Sequence, residues 1–450
     1  MLFLYILLIW VVHLIKKNLF FFVMFFFILS YFIPAITANL SKNDVFDNKS
    51  ETDFLVSSQE LVLLYGEINF FISFPTEQVD SFNVSYSLPS SYKAQATIIV
   101  EIRNDSTADI ISYDIVNDSL SNSIINFNVA ASDYEDDPSI HFDFWVLVKN
   151  DEYNDLPNDV AIGDFPLWSE KWLESTKAVQ SDSFLIRLKA KLLNRKCDNI
   201  LCLADKIVKC TSAHKLRHIL WGLTKFNPLN IDSYWTKYLD AKSSLIFGGS
   251  CTGRANLGTA LFRANGIPAR VIHVMPTWPG VVIDNDFWFD MHYISEYYLP
   301  SYDWLFAETT IGMTPFEQKY NIIFRINDIA DENTAGNGGD YYGGCEQWFW
   351  TESKDIMILW NYVNSGSRSW METNLSTDKT TADDVFNITY DVYEYFTKYY
   401  GVNLTAENQE HFNNAYSAQK NAVLCFKQKD IIGYNTNISY AYDEYQMILL

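Results

Sequence analysis

Basic residues are scarce in this 450-residue chain: 33 Lys and Arg stand against 55 Asp and Glu, a formal net charge of −22. A surface of that sign repels phosphate backbones, which argues against nucleic acid as a partner, while basic substrates or plain solubility remain compatible with it. Cysteine is sparse too, with six in all: Cys197, Cys202, Cys210, Cys251, Cys345 and Cys425. None forms a tight Cys-x-x-Cys pair, which argues against a structural zinc site, although Cys210, His214 and His218 follow at four-residue steps with Cys197 or Cys202 as a fourth candidate ligand. No metal or cofactor is expected. An unbroken apolar run of about 20 residues, the length of a membrane span, is also missing. Met1–Ile15 is apolar apart from His13, Lys16-Lys17 interrupts, and a Phe-rich run resumes from Leu19 to Pro34. With small residues near Ala35–Ala38, this fits a signal peptide or signal anchor over residues 1–38, which would associate the chain with a membrane and leave everything after it outside the cell. No internal repeat stands out.

The length and the 48% hydrophobic content suit two or three cored domains. Residues 41–164 hold five basic and twenty-three acidic residues and short alternating runs, Glu67–Ile72, Ala96–Glu101 and Phe142–Val148, separated by turn-rich polar segments. That pattern predicts an antiparallel β-sandwich. Helical periodicity follows: Phe184, Leu185, Leu188 and Leu192 are expected to form one buried face, then Ile200, Leu203 and Ile207, then Leu216, Ile219, Leu220 and Leu223. After Ile326 the pattern weakens, glycines at 336, 338, 339, 343 and 344 mark a loop, and residues 345–450 give no clear fold. Nine Asn-x-Ser/Thr sequons, at Asn39, Asn48, Asn83, Asn104, Asn117, Asn374, Asn387, Asn403 and Asn437, leave residues 118–373 clear and agree with export.

Chemistry concentrates in that clear stretch. Cys251 follows Gly248-Gly249-Ser250 and opens the apolar series Ala255, Leu257, Ala260, Leu261, Phe262, which predicts a buried helix with the thiol at its positive end. Helix-end N–H groups and a nearby imidazolium favour the thiolate, the nucleophilic form of cysteine. Gly266 can take the left-handed conformation that ends a helix, Pro268 cannot continue one, and Val271-Ile272-His273-Val274 reads as a strand. His292 begins a second alternating run to Leu299; the turn Pro300–Asp303 and the run Trp304–Glu308 complete a predicted hairpin. Paired strands lie about 4.8 Å apart, so the hairpin can set His292 beside Glu308, with the Cys251 helix packed against them.

The segment from about Gly248 to Thr310 resembles the core of the transglutaminase-like superfamily of papain-type thiol enzymes. The resemblance rests on the Cys251 helix start, the stretch Arg263-Ala264-Asn265-Gly266-Ile267-Pro268-Ala269-Arg270, the strand-opening His292 and the acid sixteen residues after it. It departs from the family in carrying Glu308 where Asp is usual, and His292-Tyr293-Ile294 where His-Ala-Trp is usual. The resemblance implies an α+β fold with a papain-like transglutaminase core over 165–330, a helix bundle packed on an antiparallel sheet and preceded by the β-sandwich. It also implies Cys251 as nucleophile, His292 as base, Glu308 as orienting acid, and a protein or peptide substrate whose amide bond passes through a Cys251 thioester. Water as acceptor gives a cysteine protease or amidase, and an amine gives a cross-linking transglutaminase. A surface protein using the same fold only for binding is the third reading. Trp278, Trp288 and Trp304 are candidates to wall the site from water, with core packing the alternative for each. With Cys251 set aside, the remaining five cysteines allow a local disulfide among Cys197, Cys202 and Cys210, and a Cys345–Cys425 pair.

Overall fold

The computed structural model describes residues 58–73, 80–131, 138–150, 153, 156–157, 160–163, 165–212, 240–277, 292–300, 302–333, 349–351, 357–359 and 366–448. The segment at 1–38, the histidines at 214 and 218, the apolar positions from 216 to 223, the tryptophans at 278 and 288, the glycine-rich loop and the cysteine at 345 lie outside the described residues.

The alternating runs of the first part of the chain become β1 (Ser58–Ser73), β2 (Ser81–Ser87), β3 (Gln95–Ile102), β4 (Ile110–Asn117), β5 (Ser123–Ala130) and β6 (Ser139–Asn150). The helical part supplies α1 (Phe184–Asn194), α2 (Ile200–Ser212), α3 (Ala241–Phe247) and α4 (Cys251–Ala264). A third group of strands, β7 (Ala269–Pro276), β8 (His292–Leu299), β9 (Asp303–Ala307) and β10 (Asn321–Ile326), is followed by a short helix α5 (Ile329–Asn333). The region without a clear expectation holds β11 (Phe349–Thr351), β12 (Met357–Leu359), β13 (Gly366–Asp378) and three helices, α6 (Lys379–Tyr399), α7 (Ala406–Lys427) and α8 (Ile431–Gln446).

Three antiparallel sheets result. One runs β12-β1-β6-β3 with β13 also paired to β1, the second β11-β2-β5-β4, and the third β10-β7-β8-β9. The first two share one hydrophobic cluster, and helices α6 to α8 close it with Phe396, Phe426, Tyr434 and Tyr445. Strands from beyond residue 349 complete both sheets, β13 matching β1 from Ser58↔Asp378 to Asn69↔Gly366. The pairing therefore interleaves early and late sequence, and a distinct N-terminal β-sandwich over 41–164 is not demonstrated. The α+β class holds, with several antiparallel sheets and helix clusters consistent with a transglutaminase-like core.

One expected helix face is corrected. In α1 the buried positions are Ile186 and Ala190, whereas Phe184 is 76% and Leu188 41% exposed. A helix this short offers two overlapping apolar stripes, and the one turned into the core is that of Ile186 and Ala190. In α2, Ile200, Leu203 and Ile207 are buried as the periodicity predicts. Among the described residues no helix is long and apolar enough to cross a membrane. Of the described sequon asparagines, those at 104, 117, 374, 387 and 403 are exposed, and Asn83 and Asn437 are half-buried.

Candidate active site

Helix α4 is the element around which the site is built. It is buried along nearly its whole length, with β7 and β8 on one side and α1, α2 and α3 packed around it. Burying Leu257, Leu261 and Phe262 contributes about 1.5–3 kcal/mol apiece, so the helix has little freedom to slide. Ser250 precedes it in an extended conformation as N-cap, and Cys251 is the first helical residue. At the other end Gly266 takes φ +78, the left-handed stop expected from the sequence.

Two glycines set the close approaches. A Cβ on Gly249 would stand 2.4 Å from Ser244 Oγ, so the chain can enter α4 tight against α3 only without a side chain there. A Cβ on Gly258 would stand 2.5 Å from Thr309 Cγ2 and 2.9 Å from Ser295 Oγ. Gly258 is thus what lets the helix lie directly on β8 and on the residue after Glu308. Ser295 Oγ donates to the helix carbonyl of Ala255 at 2.8 Å and accepts from Thr259 Oγ1 at 3.0 Å, fastening strand to helix there.

The predicted hairpin is present. Strand β8 pairs with β9 from Ser295↔Ala307 to Leu299↔Asp303. Continued by one position, this register sets Glu308 across from Ile294, a diagonal neighbour of His292 on the same side of the sheet. The side chains meet: His292 Nε2 lies 2.7 Å from Glu308 Oε2, with Glu308 fully buried. The other carboxylate oxygen accepts the Thr310 N–H at 2.8 Å. The same imidazole hydrogen-bonds the Cys251 thiol. All three residues named from the sequence are therefore brought together.

Electrostatics at this point favours a charge-separated pair. Burial pushes the Cys251 thiol up, but the His292 hydrogen bond and charge, with the Thr252 N–H, outweigh it and hold the thiol below its usual value. Burial likewise works against a charged His292, yet the Glu308 carboxylate and the hydrogen bonds to Cys251 and Glu308 push the imidazole up to about 10. The two shifts point the same way, each favouring the thiolate–imidazolium form over the neutral pair. A thiolate at a helix start beside an imidazolium is a nucleophile equipped with a proton donor.

Three further residues escaped the sequence reading. Arg254, one turn into α4 and buried, donates from Nε to the Gly249 carbonyl at 3.1 Å and from Nη1 to the Thr310 carbonyl at 3.0 Å. Thr310 lends its N–H to the acid, and Ser295 locks the strand. For Arg254 the available signal was an arginine inside an otherwise apolar helical pattern, where a charge needs a packing reason.

For Trp304 the core-packing alternative holds. Trp304 pairs with Tyr298, six positions along β8 from His292 and so about 20 Å away at 3.3 Å per residue. Its ring lies 4.0 Å under the Arg270 guanidinium and packs on Trp168 and Trp172, so it belongs to the core and not to a wall of the site. Cysteine pairing is settled in part: Cys197 and Cys202 form a disulfide, which removes both as zinc ligands, and Cys210 is a free thiol. Among the described residues no group of His, Cys, Asp and Glu is arranged to hold a metal ion.

Residues 225–309 match the family model described as the transglutaminase-like superfamily, a stretch that contains Cys251, His292 and Glu308. No curated protein matches the chain. A solved structure described as a "Putative Cysteine Protease" from Cytophaga hutchinsonii aligns at 14% identity over 70% of this chain and 98% of that one, with a TM-score of 0.41. Another, described as a "putative protease" from Parabacteroides distasonis, aligns at 14% identity over 58% of this chain and 46% of its own, with a TM-score of 0.22. Superpositions that loose carry no argument about activity. The family match lies over the segment around helix α4 and the β8–β9 hairpin, and it is a likeness of that segment to the transglutaminase-like superfamily.

Proposed function

We propose that this protein is a cysteine-dependent enzyme that attacks amide bonds through a thioester on Cys251, acting on protein or peptide substrates as a protease or amidase. The observation that carries the proposal is the His292 ring, hydrogen-bonded to the Cys251 thiol and held 2.7 Å from the buried Glu308 carboxylate. In this reading the thiolate adds to the amide carbonyl carbon, and electrons move onto the oxygen, which the Cys251 N–H at the helix start stabilises. The C–N bond then breaks, the His292 imidazolium giving its proton to the departing amine. Neutral His292 takes a proton from water as its oxygen attacks the thioester, the C–S bond breaks, and acid and thiolate are regenerated. Glu308 orients the ring and stabilises its cationic form throughout.

Water is the acceptor that needs no site of its own, and that supports hydrolysis over amine transfer. The alternative, a cross-linking transglutaminase, would show as incorporation of a labelled primary amine into a glutamine-bearing protein. A pure binding role would show as slow labelling of Cys251 by iodoacetamide, unchanged in His292→Ala. The expected result is labelling at neutral pH far faster than that of an ordinary thiol, lost in His292→Ala, with hydrolysis exceeding amine incorporation.

The same reading puts the protein at the cell surface or outside the cell, delivered or anchored by residues 1–38, with a net charge of −22 that discourages nucleic acid. Glycosylation at the exposed sequon asparagines, seen as a mass shift removed by a glycosidase, tests that placement.

A further inference from the structure

The contacts around the site close into a ring. Cys251 bonds His292, His292 bonds Glu308, and the second oxygen of Glu308 accepts the Thr310 N–H. The Thr310 carbonyl accepts from Arg254 Nη1, and Arg254 Nε returns to the carbonyl of Gly249, two residues before Cys251. Arg254 thus joins the start of the Cys251 helix to the loop carrying Glu308 through two backbone carbonyls, its partner Thr310 lying 56 residues away in sequence.

We propose that Arg254 is a positioning residue, which fixes the Glu308 loop against the helix start and so sets the distance from imidazole to thiol. The inference rests on the reading of Cys251 as nucleophile. Two features favour positioning over plain packing. Both acceptors are backbone carbonyls that flank the reacting residues, and a guanidinium reaches both only from a rigid planar fork, whereas a lysine ammonium is a single point on a flexible stem. The rest of the loop is already secured without it, by Thr211 Oγ1 donating to the Thr309 carbonyl at 2.9 Å and by the Glu308 N–H donating to the Met313 carbonyl at 2.9 Å. What Arg254 adds is the tie to the cysteine's own helix end.

Arg263 provides the control. It is the other buried guanidinium of α4, paired through both nitrogens with Glu332 at 2.7 Å, nine residues and so about 13 Å along the helix from Arg254. The test measures iodoacetamide labelling of Cys251 against pH in the full chain, in Arg254→Lys, Arg263→Lys and His292→Ala, with thermal melts alongside. Arg254→Lys is expected to slow labelling at neutral pH by about tenfold to a hundredfold and to move the acid midpoint upward, because a displaced imidazole supports the thiolate less. Arg263→Lys is expected to lower the melting temperature while leaving rate and midpoint near wild type. The groups facing the thiol, His292, Glu308 and the Thr252 N–H, are intact in both lysine variants. Should Arg254→Lys not fold, Arg254→Gln repeats the measurement. Wild-type labelling in Arg254→Lys, or equal slowing in both variants, overturns the positioning role alone. Slow wild-type labelling that ignores His292→Ala overturns the nucleophile reading, and the positioning role with it.

Discussion

Strand β8 carries two buried ionic clusters that behave in opposite ways. At its start, His292 joins Cys251 and Glu308; four residues on, Glu296 joins Arg270 at 2.8 Å and Lys93 at 2.6 Å, with the Tyr92 hydroxyl donating to it at 2.9 Å. Both are shielded from water and both are dense with charge. The difference lies in what can change protonation. In the Arg270 cluster burial pushes the Glu296 carboxyl up, but Arg270 and Lys93 more than reverse this and hold it below its usual range, while burial pulls the Lys93 ammonium down. In the Cys251 cluster the thiol is lowered and the imidazole raised, so two groups that ordinarily titrate near neutrality are poised to exchange a proton. The first arrangement cements the turn at Tyr92-Lys93, between β2 and β3, to the third sheet; the second is suited to chemistry.

Four experiments sharpen or break that contrast. Cys251→Ala should remove turnover by roughly a millionfold, as loss of a nucleophile does, with the fold intact by circular dichroism. Residual turnover within tenfold of wild type would move the reaction elsewhere. Glu308→Gln preserves shape but removes the charge that supports the imidazolium; a fall of about 10⁴-fold in kcat is expected, with a smaller change in KM. In the other cluster, Glu296→Gln leaves Arg270 and Lys93 without their anion and should cost about 3–5 kcal/mol in urea unfolding, while Cys251 in the folded protein labels at the wild-type rate. If labelling collapses with stability, the two clusters are one unit and the contrast is void.

The smallest effects are those of pH. If the proposed thiolate–imidazolium pair is the active form, activity should appear as pH rises through a thiol value below the usual one and disappear as pH passes the raised His292 value of about 10, with limbs of about tenfold per pH unit. The Glu296 cluster runs by linkage: a lowered carboxyl stabilises the fold above its ordinary 4.5 and loses that contribution as pH falls through the lower folded value.

Much of the site was legible because it is local. A helix start at Cys251, the stop at Gly266 and the hairpin from His292 to Glu308 follow from periods and turn residues within about 15 positions of one another, and strand register then carries His292 to Glu308. What was not legible depended on distance. Trp304 looked near the site in sequence, but a strand is long, and six residues carry it away. In α1 tertiary packing buries Ile186 and Ala190 and leaves Phe184 and Leu188 exposed, a choice that the periodicity left open.

The sequence alone determined the helix that starts at Cys251 and the hairpin that runs from His292 to Glu308, since hydrophobic period and backbone freedom act over short stretches. Tertiary structure alone decided that strands β11 to β13 complete the first two sheets, that Gly258 admits β8 against the helix, and that Arg254 spans from Gly249 to Thr310. Those are contacts between segments far apart in the chain. Hydrogen-bond partners and close approaches of that kind exist only once the chain has folded, and no local pattern encodes them.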